Sequence, residues 1–141
     1  LSAPRVRAAI GLSPSPPLAG VAQIAFATIS LPFLSVTGTA DAVPAVTPIT
    51  AAERQLPFRL MPPGDKFLLV MHGGTHEMFA GQPFPTLLNG EPPPHIRDTV
   101  IAVTTAFWRA MLDKDQAALR WLQNPADVRA GLGPGDSFES R

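Results

Sequence analysis

The chain has 141 residues, enough for one domain, and its 45% hydrophobic content supports a buried core rather than a disordered segment. Charged residues make up only 16%, scarcer than in most soluble domains, which suits a chain that hides surface against something else. Eleven basic and eleven acidic residues are scattered with no basic stripe, so nucleic acid is a poor candidate partner, and the absence of cysteine excludes disulfides, thiolate metal sites and cysteine nucleophiles.

In chain order, Pro4 to Leu12 predicts a strand, stopped by Ser13-Pro14-Ser15-Pro16-Pro17 because proline has no ladder donor. Leu1 reads as an internal start, since no charged-then-apolar leader follows it. Gly20 to Ile29 is apolar and ambiguous: Ala22, Phe26 and Ile29 share a helical face, but β-branched residues are frequent. Pro32 to Gly38 predicts a second strand, with Thr37 and Thr39 as turn formers leading to Asp41. Ala45 to Leu56 predicts a short helix, capped by Thr50 and ended by Pro57.

Lys66 to Met71 predicts a third strand, buried on both faces and stopped by Gly73 and Gly74, with His76 on the loop beyond. Ile96 to Leu112 predicts the longest helix: Ile96, Val100, Val103, Phe107 and Met111 form one stripe, widened by Ile101, Trp108 and Leu112. A second helix starts at Asp115, a good cap. Residues 1–123 read as the structured part and 124–141 as a Pro/Gly-rich C-terminal tail, frayed from Gly131 onward. No stretch reaches the roughly 18 apolar residues of a membrane span.

Short apolar strands separated by helices or long crossovers predict an α/β fold, with about three parallel strands and flanking helices. In open parallel sheets ligands sit at the carboxyl ends of the strands, where both Asp41 and His76 fall. Histidine suits general acid–base work near neutral pH, and an aspartate that fixes its tautomer is its natural partner. Asp41 and His76 are therefore the candidate catalytic pair, and Met78, Phe79 and Phe84 could line a substrate pocket or pack beneath the loop. Read singly, Asp41 could cap a turn and His76 could bond to backbone. His72 competes with His76 for the role of base. A metal site from His72, His76 and Glu77 is a weak alternative: Gly73-Gly74 argues against a shared helix face, and no third ligand is fixed by spacing. No serine sits in a Gly-x-Ser-x-Gly strand-to-helix turn, and Ser13 and Ser15 lie among prolines, so the nucleophile is not visible.

The stretch from Ile29 to Asp41 resembles the strand-then-acid segment of α/β-hydrolases. Pro63 to Phe79 resembles their last core strand and histidine loop. Gly73-Gly74-Thr75-His76-Glu77-Met78-Phe79 is similar to the Gly-x-x-His-x-x-Phe pattern of the dienelactone hydrolase and platelet-activating-factor acetylhydrolase-like group. Arg5 to Pro14 is similar to the strand after that family's nucleophile helix, and the helix from Ile96 to its terminal helix. The resemblance spans Pro4 to about Leu122 and implies the C-terminal part of a serine hydrolase of carboxylic esters. It makes Asp41 the triad acid and His76 the triad base, requires no cofactor, and places the serine and oxyanion hole upstream of Leu1. The expected partners are a small-molecule ester and, at the open edge of the first strand, the missing half or another chain. The chain alone is then expected to be inactive. The alternative is a non-catalytic α/β fragment or pseudoenzyme serving as a binding or assembly module.

Overall fold

A computed structural model describes residues 5–16, 21–79 and 94–141. Its centre is a mixed four-stranded sheet in the order β1-β2-β3-β4, with β1 at Ala9–Leu12, β2 at Phe33–Ala40, β3 at Lys66–Thr75 and β4 at Ser137–Ser140. The first three strands run parallel, as the alternation of apolar runs and crossovers predicts. The fourth is antiparallel to β3, pairing Phe67 with Ser140 and Val70 with Ser137. The sheet thus has four strands rather than three. Residues 124–141, read as a tail, carry α6 (Pro125–Arg129) and β4. Phe138 anchors this segment: it is fully buried and stacks on Phe67 at 6.1 Å.

β3 is buried on both faces, and its alternation assigns them. Phe67, Leu69 and Met71 join Leu34 and Val36 of β2 beneath α4 (Pro94–Leu112), where Ile96, Val103 and Phe107 face the sheet. Leu122 of α5 (Gln116–Gln123) and Val128 of α6 complete that layer. Leu68 and Val70 point the other way, onto Phe58 of α2 (Leu56–Leu60). Within the ambiguous apolar stretch, Ala22–Ala27 forms a short helix, α1. The stripe of α4 is narrower than its sequence suggests: Ile101, Trp108 and Leu112 are solvent-exposed.

Asp115 caps α5 as expected, accepting from the amides of Ala117 and Ala118. Thr50 does not sit at the cap position of a helix over residues 45–56: a 3₁₀ turn at Glu53–Gln55 follows Ala52 and runs into α2, and Thr50 pairs reciprocally with Glu53 just ahead of it. The Glu53 amide donates to the Thr50 hydroxyl at 3.3 Å, and the Thr50 amide donates to the Glu53 carboxylate at 2.8 Å. Pro57 lies in the first turn of α2 instead of ending a helix, because an orphan amide there has no helical bond to lose.

The glycines do not stop β3. The strand continues through them to Thr75, and His76 opens a single helical turn, α3 (His76–Phe79). Gly38 pairs with Met71 and Ala40 with Thr75, so β3 carries extra residues in a bulge opposite β2. Two glycines make that bulge possible. A Cβ on Gly38 would lie 2.1 Å from the Gly74 carbonyl oxygen, and one on Gly74 would meet the Phe79 ring at 2.8 Å. Gly73 adopts φ of 70°, and its amide donates to the Thr39 hydroxyl at 2.8 Å. Thr37 and Thr39 are therefore strand residues, not turn formers.

Candidate active site

Three strand ends deliver the site. Asp41 follows β2, His76 follows β3, and Ser13 follows β1 directly. The Gly38–Gly74 approach draws β2 and β3 together just before the acid and the base, so residues 35 apart in sequence meet. Asp41 Oδ1 lies 3.0 Å from His76 Nδ1. Asp41 has no exposed surface, whereas the His76 side chain is 37% exposed.

The carboxylate is fully engaged. Thr37 donates to Oδ2 at 2.7 Å, and Ser13 donates to Oδ1 at 2.8 Å. Arg54, also buried, places Nε 3.0 Å from the same Oδ1 and donates to the Asp41 carbonyl. Arg54 Nη1 reaches across to the Ser13 carbonyl at 3.1 Å and to the Ser15 hydroxyl. A buried carboxylate needs a counterion and satisfied lone pairs, and these donors supply both.

The two histidine nitrogens differ. Ser13 Oγ and Asp41 Oδ1 both approach Nδ1, at 2.7 and 3.0 Å. A carboxylate oxygen and an unprotonated ring nitrogen repel at that distance, so the proton belongs on Nδ1. Nδ1 then cannot take a proton from Ser13, whose hydroxyl instead donates to Asp41 and shares the Nδ1 proton as an acceptor. Among the described residues Nε2 has no hydrogen-bond partner. The ring is therefore held at one nitrogen and open at the other.

No family model, curated protein or solved structure matches the chain.

The structure brings Asp41 and His76 together and separates His72 from them. The His72 ring packs over Gly135, and its amide donates to Asp136 at 2.7 Å. His72 lies in β3 while His76 opens α3, so the two share no helix face, and among the described residues no three metal-ligating side chains cluster. Glu77 faces its own turn: backbone hydrogen bonding, then the Thr75 hydroxyl, holds its carboxyl below the usual range. Phe79 is buried in the core against Gly74, so it packs beneath the loop, whereas Met78 is half-buried and can still face a pocket. Phe84 lies outside the described residues. A small apolar cleft of about 140 Å³ is lined by Val6, Ala9, Ile29, Leu31 and Phe33, at the opposite strand ends from the acid and base.

Sequence reasoning passed over Ser13 and Arg54. For Ser13 a signal existed: the strand-end rule that selects Asp41 and His76 also selects the residue after Leu12. Its backbone is unusual as well, with φ of 51° on a non-glycine residue before a proline, a conformation costing about 1 kcal/mol or more. The Ser13 amide, donating to the Val36 carbonyl at 2.7 Å, and Arg54 on its carbonyl hold it there. Arg54 carries no comparable signal, since it reads as one more polar residue in a capped first turn.

Proposed function

We propose that this chain carries the acid–base half of a serine-type hydrolase of carboxylic esters, with Asp41 as the acid and His76 as the base. One observation carries the reading: a fully buried aspartate holds His76 by Nδ1 and leaves Nε2 open. In that arrangement Nε2 accepts the proton of an attacking hydroxyl. That oxygen bonds to the ester carbonyl carbon and is acylated as the bond from this carbon to the alcohol oxygen breaks, and the imidazolium gives the proton to the departing alkoxide. Asp41 stabilises the imidazolium and fixes the ring. Water then repeats the sequence to release the acid, and no cofactor enters.

Ser13 does not serve as the nucleophile in this scheme, because it sits on the acid side of the ring. The attacking serine and the oxyanion donors come from a segment outside the described residues or from another chain. The parallel order of β1, β2 and β3, with acid and base at successive strand ends, supports reading the chain as the C-terminal part of an α/β-hydrolase domain.

A second reading, a non-catalytic binding or assembly module, draws on a different observation. β1 is an edge strand, with its own Leu12 and the preceding Val6 exposed. Fluorophosphonate labelling of the protein in extracts of its source, with the adduct mapped by peptide mass spectrometry, separates these readings. We expect an adduct on a serine other than Ser13, lost when His76 is changed to alanine. An adduct on Ser13 would reverse the role given to that residue. A folded protein with no adduct would leave the module reading standing and the hydrolase reading refuted.

A further inference from the structure

We infer that Arg54 is a positioning residue for the Asp41–His76 pair, locking the loops after β1 and β2 together so that one carboxylate oxygen stays on Nδ1. The inference rests on the acid–base reading of that pair and adds a residue to it. Arg54 lies in the 3₁₀ turn after Thr50 and is 1% exposed. A guanidinium removed from water must find acceptors, and among the described residues this one finds them on two loops. On the β2 side Nε donates to the Asp41 carbonyl at 3.0 Å and is ion-paired with Oδ1 at 3.0 Å. On the β1 side they are the Ser13 carbonyl at 3.1 Å and the Ser15 hydroxyl.

The contact on Oδ1 makes this more than a structural staple. Oδ1 is the oxygen that faces His76 Nδ1 and accepts from Ser13, while Thr37 occupies Oδ2. Rotation of the carboxylate would break the Thr37 bond and lift Oδ1 from the ring, and Arg54 opposes that rotation from the main-chain and side-chain sides together. Arg54 also holds the Ser13 carbonyl, and with it the backbone that aims Ser13 Oγ between acid and base. A lysine brings the charge but not the planar fork that spans both loops.

The test is proton NMR of His76 in the ¹⁵N-histidine-labelled chain, read with Arg54→Lys, Arg54→Met and the parent. The parent should show a deshielded, slowly exchanging Nδ1 proton and a single tautomer. Arg54→Lys should remain folded by tryptophan fluorescence yet lose that resonance and populate both tautomers, and Arg54→Met should do the same. If Arg54→Met does not fold, Arg54→Lys decides by itself. A folded Arg54→Lys that keeps the parent's Nδ1 signal overturns the inference and leaves the Asp41–His76 pair intact. A parent lacking that signal instead sinks the pair itself. In the protein that carries the labelled serine, Arg54→Lys should lower kcat by roughly a hundredfold with KM little changed, the signature of a misplaced reacting group.

Discussion

Replacing Gly38 with alanine tests how the site is assembled. The new Cβ would fall 2.1 Å from the Gly74 oxygen, 2.5 Å from its carbonyl carbon and 2.6 Å from its Cα. Ordinary contact between carbon atoms begins near about 3.5 Å, so the overlap is severe. All three obstructing atoms are backbone, so no rotamer change relieves it. β2 and β3 must separate at the point where they converge. Overpacking a core costs about 1–3 kcal/mol, and a main-chain clash in a central strand pair belongs at or above the top of that range. Gly73→Ala provides the control: its φ of 70° disfavours a side chain, but nothing lies within 4 Å of the added Cβ. The strain there should be about 1 kcal/mol. Urea unfolding followed by the fluorescence of Trp108 and Trp121 gives both values. A Gly38→Ala protein as stable as Gly73→Ala would show that the strands do not approach as described, and the account of how Asp41 meets His76 would fall with it.

Phe138→Ala should destabilise the protein by about 3–5 kcal/mol, as expected for a fully buried aromatic that stacks on Phe67. A change below 1 kcal/mol in the same urea assay would return residues 137–140 to the status of a tail. Glu139→Gln should cost no more than about 1 kcal/mol, because its ion pair with Arg59 is well exposed on both sides. The Arg59 hydrogen bond holds the Glu139 carboxyl below its usual range, so this contribution is present above pH 4.5 and lost as pH falls through the folded-state value. Parent and variant stabilities should therefore converge in acid, and a gap that widens there would contradict the assignment. Burial pushes the Lys66 ammonium below the usual lysine range, with Asp65 opposing and Arg141 reinforcing. The unfolded chain then holds more protons just below pH 10.5, so stability should climb with pH in that window, and Lys66→Met should flatten the climb.

Much of the sheet is legible in the sequence because β2 and β3 are continuous apolar runs and α4 repeats its apolar positions at helical spacing. β4 is not legible: Ser137-Phe138-Glu139-Ser140 has one apolar residue, and its strand character exists only through pairing with β3. The width of the α4 stripe also depends on which helices cover it, so the exposure of Ile101, Trp108 and Leu112 follows from tertiary packing alone. Gly73 and Gly74 carry a genuine signal with two physical meanings, a break in a strand or a close approach of backbones. Only the position of Gly38 across the ladder selects the second. At the site, Asp41 and His76 stand out by residue type and strand-end position. Arg54 becomes visible only once the ends of β1 and β2 lie side by side.

The burial of Asp41 has a consequence for ionic strength. Mobile ions screen charges that water can reach, over about 8 Å at physiological salt, but they cannot enter between Asp41, Arg54 and the enclosed edge of His76. The exposed Arg59–Glu139 pair that ties α2 to β4 has no such protection. Concentrated salt therefore weakens the exposed clasp between α2 and β4 while leaving the enclosed Asp41–Arg54 contact largely unscreened, so ionic strength acts on the scaffold before it acts on the buried carboxylate.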